Sequence, residues 1–231
     1  MDFQTVKSQL GVHALRFIRP GMTVGLGTGS TATCFIEALG NAYERGLRVE
    51  VVASSDRSFS LAKKLQIPVR SLEEVSSVDV TVDGADEVAP NKEMIKGAGG
   101  AHVREKILAH FSKSLVILID ESKLVRVLGE KCPLPVETVS FGLQASKQAL
   151  ETLSPLVQRR HTKKGDVWET DNGGAIFDLK MPHISPCALH AKILEIPGVV
   201  DTGYFPDRGQ EIVVGKQDGS ICRLEEISTE F

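Results

Sequence analysis

The stretch from Val80 to Lys106 reads VTVDGADEVAPNKEMIKGAGGAHVREK and contains the densest group of ionisable and glycine residues around which the fold is predicted. A run of β-branched residues ends in two acids, Asp83 and Asp86, on either side of a Gly-Ala pair. Further on comes Lys96, followed by Gly97-Ala98-Gly99-Gly100, a segment called here the glycine tract. So many ionisable side chains around glycine turns would make a poor core. They make a plausible site for proton transfer on a small polar ligand.

The residues after the glycine tract predict a helix over 102–111 with two different faces. Val103, Ile107 and Phe111 form an apolar stripe at i, i+4 and i+8. Glu105 lies away from that stripe, on a face whose other members are small or apolar: Ala101, Leu108 and Ala109. Partial desolvation favours the protonated form of a carboxylate and a nearby lysine favours the ionised form, a balance that suits a general base. A first-turn acid favoured by the helix dipole is the alternative.

The composition excludes several classes of protein. The 231 residues carry 27 basic and 30 acidic side chains and a net charge of -3, with no basic run that indicates nucleic-acid binding. No apolar stretch approaches the roughly 20 residues of a membrane span. The N-terminus has no signal-peptide pattern, and the four scattered cysteines include no C-x-x-C, so we expect a cytoplasmic protein with reduced thiols. No spacing of histidines, cysteines or acids predicts a metal site.

A glycine-rich segment, GLGTGST at 25–31, follows a short apolar strand over 22–26 and precedes a helix. It is not the dinucleotide fingerprint G-x-G-x-x-G, because Ser30 stands where the third glycine would be. It is not a Walker A loop, because the G-K-[ST] ending is missing. Backbone N–H groups, hydroxyls and the positive end of a helix all favour an anion, so we interpret this loop as a phosphate-binding turn.

Strand and helix patterns alternate through the first half of the chain. We predict further strands over 49–53, at Val69, over 78–82 and over 115–119, with a helix over 58–65. This alternation predicts an α/β fold with a Rossmann-like parallel sheet and helices on both faces. Ligands bind beyond the carboxyl ends of such strands, where four polar clusters are expected: the 25–31 loop, Ser54-Ser55, Asp83 to Asp86, and Asp120 to Lys123.

The pattern changes near Cys132-Pro133-Leu134-Pro135. A helix carrying Leu143, Leu150 and Leu153 is expected next, then a hairpin of strands 167–170 and 175–179 around Asp171-Asn172-Gly173-Gly174, and a helix opened by Ser185-Pro186. Strands over 211–214 and 221–224 could return to the first sheet. We therefore predict a Rossmann-like catalytic domain over 1–131 and 205–231, with a smaller α+β domain over 132–204 inserted before the C-terminal strands.

Taken together, the motifs resemble those of the A-type family of ribose-5-phosphate isomerases. The segments that match in order and spacing are GLGTGST at 25–31, SSD at 54–56, VDGADE at 82–87, IKGAGGAHVREK at 95–106, DESK at 120–123, PLPVE at 133–137, TDNGG at 170–174 and IPGVV at 196–200. Ala98 departs from the pattern, because the family usually has a third consecutive glycine there. We expect the added methyl group to cause no loss of function.

The resemblance implies an aldose–ketose isomerase that interconverts D-ribose 5-phosphate and D-ribulose 5-phosphate through an enediolate, without a cofactor. It implies Glu105 as the base and Lys96 as a stabiliser of the enediolate, with Asp83 and Asp86 handling hydroxyl protons in an undecided division of roles. The implied substrate-binding residues also include Lys7, Thr28, Gly29, Ser30, Thr31, Gly84, Ala85, Gly97, Ala98, Gly99 and Lys123. The family resemblance suggests a homo-oligomer, either dimer or tetramer.

Two other interpretations stay open at this stage. Sugar-phosphate sensing domains share this kind of sheet and glycine loop, although the presence of both Asp83 and Glu105 favours an enzyme. A coenzyme A transferase-like enzyme would instead use a glutamate as nucleophile on a thioester. A covalent glutamyl thioester would indicate that second alternative, whereas isomerisation with solvent proton exchange would indicate the isomerase.

Overall fold

The computed structural model describes residues 1–227, which contain six α-helices and fourteen β-strands. The helices are α1 (Phe3–Ala14), α2 (Ser30–Glu44), α3 (Asp56–Lys64), α4 (His102–His110), α5 (Leu143–Glu151) and α6 (Pro186–Leu194). The strands are β1 (Thr23–Leu26), β2 (Glu50–Ala53), β3 (Val69–Arg70), β4 (Val80–Gly84), β5 (Glu87–Val88), β6 (Met94–Ile95), β7 (Leu115–Asp120), β8 (Leu134–Thr138), β9 (Val157–Arg159), β10 (Ala175–Leu179), β11 (Val199–Thr202), β12 (Tyr204–Phe205), β13 (Glu211–Gly215) and β14 (Ile221–Arg223).

These elements form two compact units. The first comprises Met1–Ala85, Arg104–Leu124 and the chain from Arg208 onward, and the second comprises Asp86–Val103 and Val125–Asp207. The second unit thus includes residues 86–103, 125–131 and 205–207, which the predicted boundaries placed in the first domain. Within that unit, β6 pairs with β12, so the segment that contains β6 is held by residues more than a hundred positions later in the chain.

The first unit is built on a seven-stranded sheet in the order β14-β13-β7-β4-β1-β2-β3. Every neighbouring pair is parallel except β13 and β14, which are antiparallel. The prediction of a mostly parallel sheet is confirmed. The prediction that strands near the C-terminus return to this sheet is also confirmed, because β13 lies against β7 along its whole length.

Helices cover both faces of this sheet. Val51 of β2 belongs to a core that includes Leu10 of α1 and Phe35 of α2. Its neighbour Val52 points the other way and packs with Leu108 of α4. Because consecutive side chains of a strand alternate between faces, these two contacts place α1 and α2 on one side and α4 on the other.

The parallel register brings the ends of four strands to one edge of the sheet. Leu26, the last residue of β1, is level with Ala53 of β2 and with Val82 of β4, and Gly84 of β4 is level with Leu118 of β7. The polar segments that follow these strands therefore lie along a common edge, as expected of an open α/β sheet.

The second unit contains a four-stranded antiparallel sheet in the order β11-β8-β10-β9 and a three-stranded sheet in the order β12-β6-β5. Leu150 of α5 and Leu189 of α6 are fully buried in a core with Val136 of β8 and Phe177 of β10. Helices and strands thus share one hydrophobic core in this unit, as predicted for an α+β domain.

One prediction for this part of the chain is wrong in part, and one strand was not predicted. The strand over 175–179 is present as β10, but residues 167–170 form no strand: Glu169 makes one antiparallel bridge to Ala175, and β10 pairs with β8 and β9. The sequence also did not indicate β8, because Pro135 lacks an N–H group and argues against a strand between two neighbours. Pro135 still takes part in the backbone pairing through its carbonyl, which accepts a hydrogen bond from the Gly203 N–H just past the end of β11.

No helix among residues 1–227 is long and apolar enough to cross a membrane.

Candidate active site

The loop between β1 and α2 places a helix N-terminus at the carboxyl edge of the first sheet. Helix α2 begins at Ser30, directly after Gly29, whose φ of 119° is readily adopted only by glycine. Ser30 is exposed, whereas Thr31 points inward and is buried. The first N–H groups of a helix have no partners within the helix and attract anions. This end of α2 is therefore suited to hold a phosphate.

The Thr28 hydroxyl connects this loop to the next polar segment. It lies 2.9 Å from the Ser54 hydroxyl and donates to the Ser55 hydroxyl at 2.8 Å. The Ser58 hydroxyl completes the cluster by donating to the Gly27 carbonyl at 2.6 Å. The hydroxyl of Thr28, which we expected to bind substrate, is thus part of the hydrogen bonding that shapes the site.

Asp83 is buried at the end of β4 and is tied to the same loop. Its Oδ1 accepts hydrogen bonds from the Thr28 N–H at 3.0 Å and from the Gly84 N–H at 2.7 Å. A Cβ atom on Gly27 would lie 1.9 Å from that Oδ1, so only glycine allows this close approach. Ala85 follows and is half-buried.

Glu105 lies in the first turn of α4 and is 3% exposed. Leu108, one turn later on the same face, is 2% exposed, so the small and apolar face predicted around Glu105 is the buried one. Ile107 and Phe111, from the apolar stripe, are instead 44% and 59% exposed. Helix α4 packs on the sheet through its Leu108 side, which turns Ile107 and Phe111 outward and the Glu105 carboxylate inward, while Val103 at the start of the helix is also buried.

The two lysines expected at the phosphate end have different surroundings. The Lys7 ammonium on α1 lies 3.9 Å from the buried Asp120 carboxylate at the end of β7. Asp120 also accepts from the Ser122 N–H at 3.1 Å, which orders the turn after β7. Lys123 closes that turn and is half-buried.

The other expected site residues lie in the second unit. The Asp86 carboxylate accepts from the Ala98 N–H at 2.8 Å, which joins it to the glycine tract. Lys96 is 3% exposed, and its ammonium lies 5.4 Å from the centre of the Phe205 ring. Gly97 has a φ of 110°, whereas Ala98 is exposed and has no positive φ, so its methyl group introduces no backbone strain.

The structure thus groups the expected residues by unit. The first unit holds Lys7, Thr28, Gly29, Ser30, Thr31, Asp83, Gly84, Ala85, Glu105 and Lys123, and the second holds Asp86, Lys96, Gly97, Ala98 and Gly99.

Arg160 was not among the predicted site residues, and its guanidinium donates to the Gly97 carbonyl at 2.6 Å. It pairs with Asp178 on β10. No local pattern indicates this contact, because some sixty residues separate the two partners in the chain.

Among residues 1–227, no group of three or more histidine, cysteine, aspartate or glutamate side chains could hold a metal ion. That the reaction needs no metal stays a prediction.

Comparison with known sequences identifies the relatives of this chain. Residues 50–219 match the family described as ribose 5-phosphate isomerase A (phosphoriboisomerase A). The ribose-5-phosphate isomerase A of Bacillus mycoides is 41% identical over 216 residues, which covers 93% of this chain and 97% of that protein. The corresponding protein of Thermococcus kodakarensis is 40% identical over 229 residues, which covers 97% of this chain and 100% of that protein.

Solved structures agree with the sequence comparison. A D-ribose-5-phosphate isomerase in complex with phospho-erythronic acid superposes with a TM-score of 0.91 at 36% identity, covering 96% of this chain and 99% of that one. The ribose 5-phosphate isomerase A of Methanocaldococcus jannaschii gives a TM-score of 0.89 at 36% identity, covering 96% of this chain and 100% of that one.

Proposed function

The chain belongs to the ribose 5-phosphate isomerase A family, and from that membership we propose which of its residues carry the reaction. It is an aldose–ketose isomerase that interconverts D-ribose 5-phosphate and D-ribulose 5-phosphate. A sugar-phosphate sensor and a coenzyme A transferase-like enzyme are not favoured, because relatives about 40% identical over nearly the whole chain are isomerases.

Glu105 is the proposed general base. It removes the proton from C2 of the open-chain aldose, the C–H electrons form the C1–C2 double bond, and the carbonyl oxygen on C1 becomes the oxygen of an enediolate. The proton then returns to C1, while the C2 hydroxyl loses its proton and becomes the ketose carbonyl and the oxygen on C1 takes up a proton and becomes a hydroxyl. The observation that supports this role is the burial of Glu105 on the packed face of α4. A carboxylate withdrawn from water is a stronger base toward carbon than a solvated one.

The developing negative charge of the enediolate needs positioned donors. Lys96 and the amides of the glycine tract are proposed for this role from the family motif, and the burial of the Lys96 ammonium is consistent with it. Asp83 and Asp86 are proposed to handle hydroxyl protons, including those that move when the furanose ring opens. Each of these two carboxylates also holds a backbone N–H group, so each shapes its own loop as well.

The phosphate is proposed to bind at the N-terminus of α2, with Thr28 to Thr31, Lys7 and Lys123 around it. The exposed Ser30 at the start of the helix and its N–H groups suit a dianion. Asp120 holds the Lys7 ammonium within 3.9 Å and limits how far it can turn. Binding energy from the phosphate, remote from C1 and C2, then serves the chemical step.

The direct test is to incubate the purified protein with D-ribose 5-phosphate in deuterated water. Ketose formation with deuterium incorporated at carbon is expected, with or without EDTA. Phospho-erythronic acid, the ligand of the related structure, is expected to compete with substrate because its carboxylate resembles the charged end of the enediolate. Absence of ketose, or dependence of turnover on an added divalent ion, would contradict this proposal.

We also propose that the chain forms a homo-oligomer, either dimer or tetramer. Supporting this, Phe141 is 91% exposed and the nearby Val139 is 44% exposed, and an interface between two copies of the chain would cover both apolar side chains. Light scattering coupled to size exclusion should give a mass at least twice that of one chain. Location in the cytoplasm is proposed as well, supported by four free thiols.

A further inference from the structure

The glycine tract combines strong curvature with little intrinsic rigidity. Gly97 and Gly100 have φ values of 110° and 78°, conformations that glycine adopts at low cost. Residues without side chains are also the most mobile, so amides in such a tract need an external support to keep one orientation. Side chains of the second unit provide this support.

The peptide group between Gly97 and Ala98 is held on both sides. Its carbonyl accepts from Arg160 Nη1 at 2.6 Å, and its N–H donates to the Asp86 carboxylate at 2.8 Å. The carbonyl and the N–H of a planar trans peptide point in opposite directions, so these two bonds together fix the plane. Arg160 Nη1 also lies 3.3 Å from the Ala98 carbonyl, which directs the Gly99 N–H away from the arginine.

Arg160 is itself held in place. Its Nε donates to Asp178 Oδ2 at 2.9 Å, and its Nη2 donates to the other oxygen of the same carboxylate. The two side chains are only 12% and 19% exposed, so water competes little for this bidentate pair. The Arg160 N–H also continues the backbone pairing with β10 by donating to the Ile176 carbonyl at 2.8 Å.

We propose that Arg160, fixed by Asp178, is a positioning residue that orients the Gly99 N–H for the charged oxygen of the enediolate. The Ala98 N–H is engaged by Asp86, and the Gly100 N–H donates to the Gly97 carbonyl at 3.0 Å. The Ala98 and Gly100 N–H groups thus have partners within the second unit, whereas the Gly99 N–H belongs to the peptide whose carbonyl lies 3.3 Å from Arg160 Nη1. Donors fixed before the reaction stabilise developing charge without reorganising, so Arg160 acts on turnover without touching substrate.

This inference rests on the proposed function, and the first experiment measures turnover. Arg160→Met should lower kcat by about tenfold to a hundredfold, less than the usual loss for a deleted oxyanion donor because the amide is loosened and not removed. KM for D-ribose 5-phosphate should change by less than about threefold, the pattern of a lost transition-state interaction. Arg159→Met is the matched control: it removes the same charge one residue earlier, and its kcat should match the parent's.

A second measurement does not depend on turnover. Trp168 is the single tryptophan of the chain, and a Cβ atom on Gly100 would lie 2.6 Å from its Nε1, so its indole rests on the glycine tract. Quenching of its fluorescence by acrylamide should increase in Arg160→Met and not in Arg159→Met. The difference in quenching between the two variants does not depend on which residue is the base. It therefore distinguishes a failure of this inference from a failure of the proposed function.

Asp178→Asn keeps the arginine and covers the case in which Arg160→Met does not fold. It should lower kcat in the parent and have little further effect in the Arg160→Met background, because the two residues act as one unit. A folded Arg160→Met protein with kcat and quenching equal to the parent's would overturn the proposal. If the Arg160→Met variant does not fold, kcat and quenching equal to the parent's in the Asp178→Asn variant would overturn the proposal instead.

Discussion

The Asp83 carboxylate accepts a hydrogen bond from the Thr28 N–H, with 3.0 Å between Oδ1 and the nitrogen. This bond joins the end of β4 to the glycine loop after β1, two segments far apart in the chain. Asp83, which we expect to act on hydroxyl protons, therefore also holds the loop that we expect to bind the phosphate. Substitutions near either partner should therefore affect both.

Gly27→Ala should damage the site more than the fold. The new Cβ would lie 1.9 Å from Asp83 Oδ1, so the carboxylate must move and release the Thr28 N–H. We expect kcat/KM to fall by at least about tenfold, as for other small displacements of catalytic groups. Gly84→Ala is the control for thermal stability, because its Cβ would meet only ordinary contacts at 3.7 Å. A Gly27→Ala protein with the parent's kcat/KM would show that the position of Asp83 is unimportant.

Glu105→Gln should abolish proton transfer while leaving the fold intact. The amide keeps the shape of the side chain and removes the basic oxygen, so kcat should fall by at least about 10³-fold with a modest change in KM. Exchange of the C2 proton with deuterated solvent, followed by NMR, should disappear as well. Glu44→Gln, an exposed acid at the end of α2, controls for the lost charge. Turnover within tenfold of the parent would exclude Glu105 as the base and make Asp83 the next residue to test.

Ser30→Ala and Lys123→Ala should each weaken substrate binding. Each removes a contact to a charged phosphate, worth about 1.5–3 kcal/mol, so KM should rise by about tenfold to a hundredfold. Ser60→Ala is the control, because its hydroxyl bonds only to the Asp56 carbonyl of its own helix. If both variants keep the parent's KM and turn over unphosphorylated ribose equally well, the phosphate binds elsewhere.

Thr28→Val should lower stability. Valine has the same shape but leaves the buried Ser54 and Ser55 hydroxyls without the Thr28 oxygen, so the free energy of unfolding should fall by about 1–3 kcal/mol. Urea unfolding measures this change. Thr152→Val, at an exposed helix end, should cost less than about 0.5 kcal/mol. Equal stability of the two variants would show that the hydroxyl cluster does not stabilise the fold.

Asp79→Asn should make the stability of the protein less dependent on pH in acid. The ion pair with Lys113 at 2.7 Å, and then the Thr23 N–H, lower the pKa of Asp79 below its ordinary value. The carboxylate therefore stabilises the fold above the unfolded pKa of about 3.9, and this contribution is lost as pH falls through the folded pKa.

At pH 7 the Asp79→Asn variant should be less stable than the parent by about 1 kcal/mol, and the gap should close below about pH 4. Urea unfolding across this range measures it, and Lys113→Met should reproduce part of the change. A gap that stays constant with pH would exclude a role for ionisation.

Several features were predictable because they depend on local order in the chain. Alternating strands and helices imply a parallel sheet, and a parallel sheet places the ends of its strands at one edge. The 25–31 loop, Ser54 and Asp83 could therefore be assigned to one place from the sequence. The face of α4 that carries Glu105 followed from helical periodicity in the same way.

Other features depended on partners that no local pattern specifies. Periodicity identified a stripe containing Ile107 and Phe111 but not whether it would be covered, and the packing of α4 through Leu108 left both exposed. The Asp-Asn-Gly-Gly turn suggested a hairpin, yet β10 pairs with β8, a strand that contains Pro135.

The amino-acid sequence by itself determined the fold class and the edge that carries the glycine loop, because propensity and periodicity act within a few residues. The expected base followed from the resemblance of the motifs to those of a known family. Only the tertiary structure decided that Asp83 holds Thr28 and that Arg160 holds the glycine tract. Those bonds join residues about sixty positions apart. They form only when separate elements pack together, and that packing depends on all the tertiary contacts of the fold and not on the residues next to each partner in the chain.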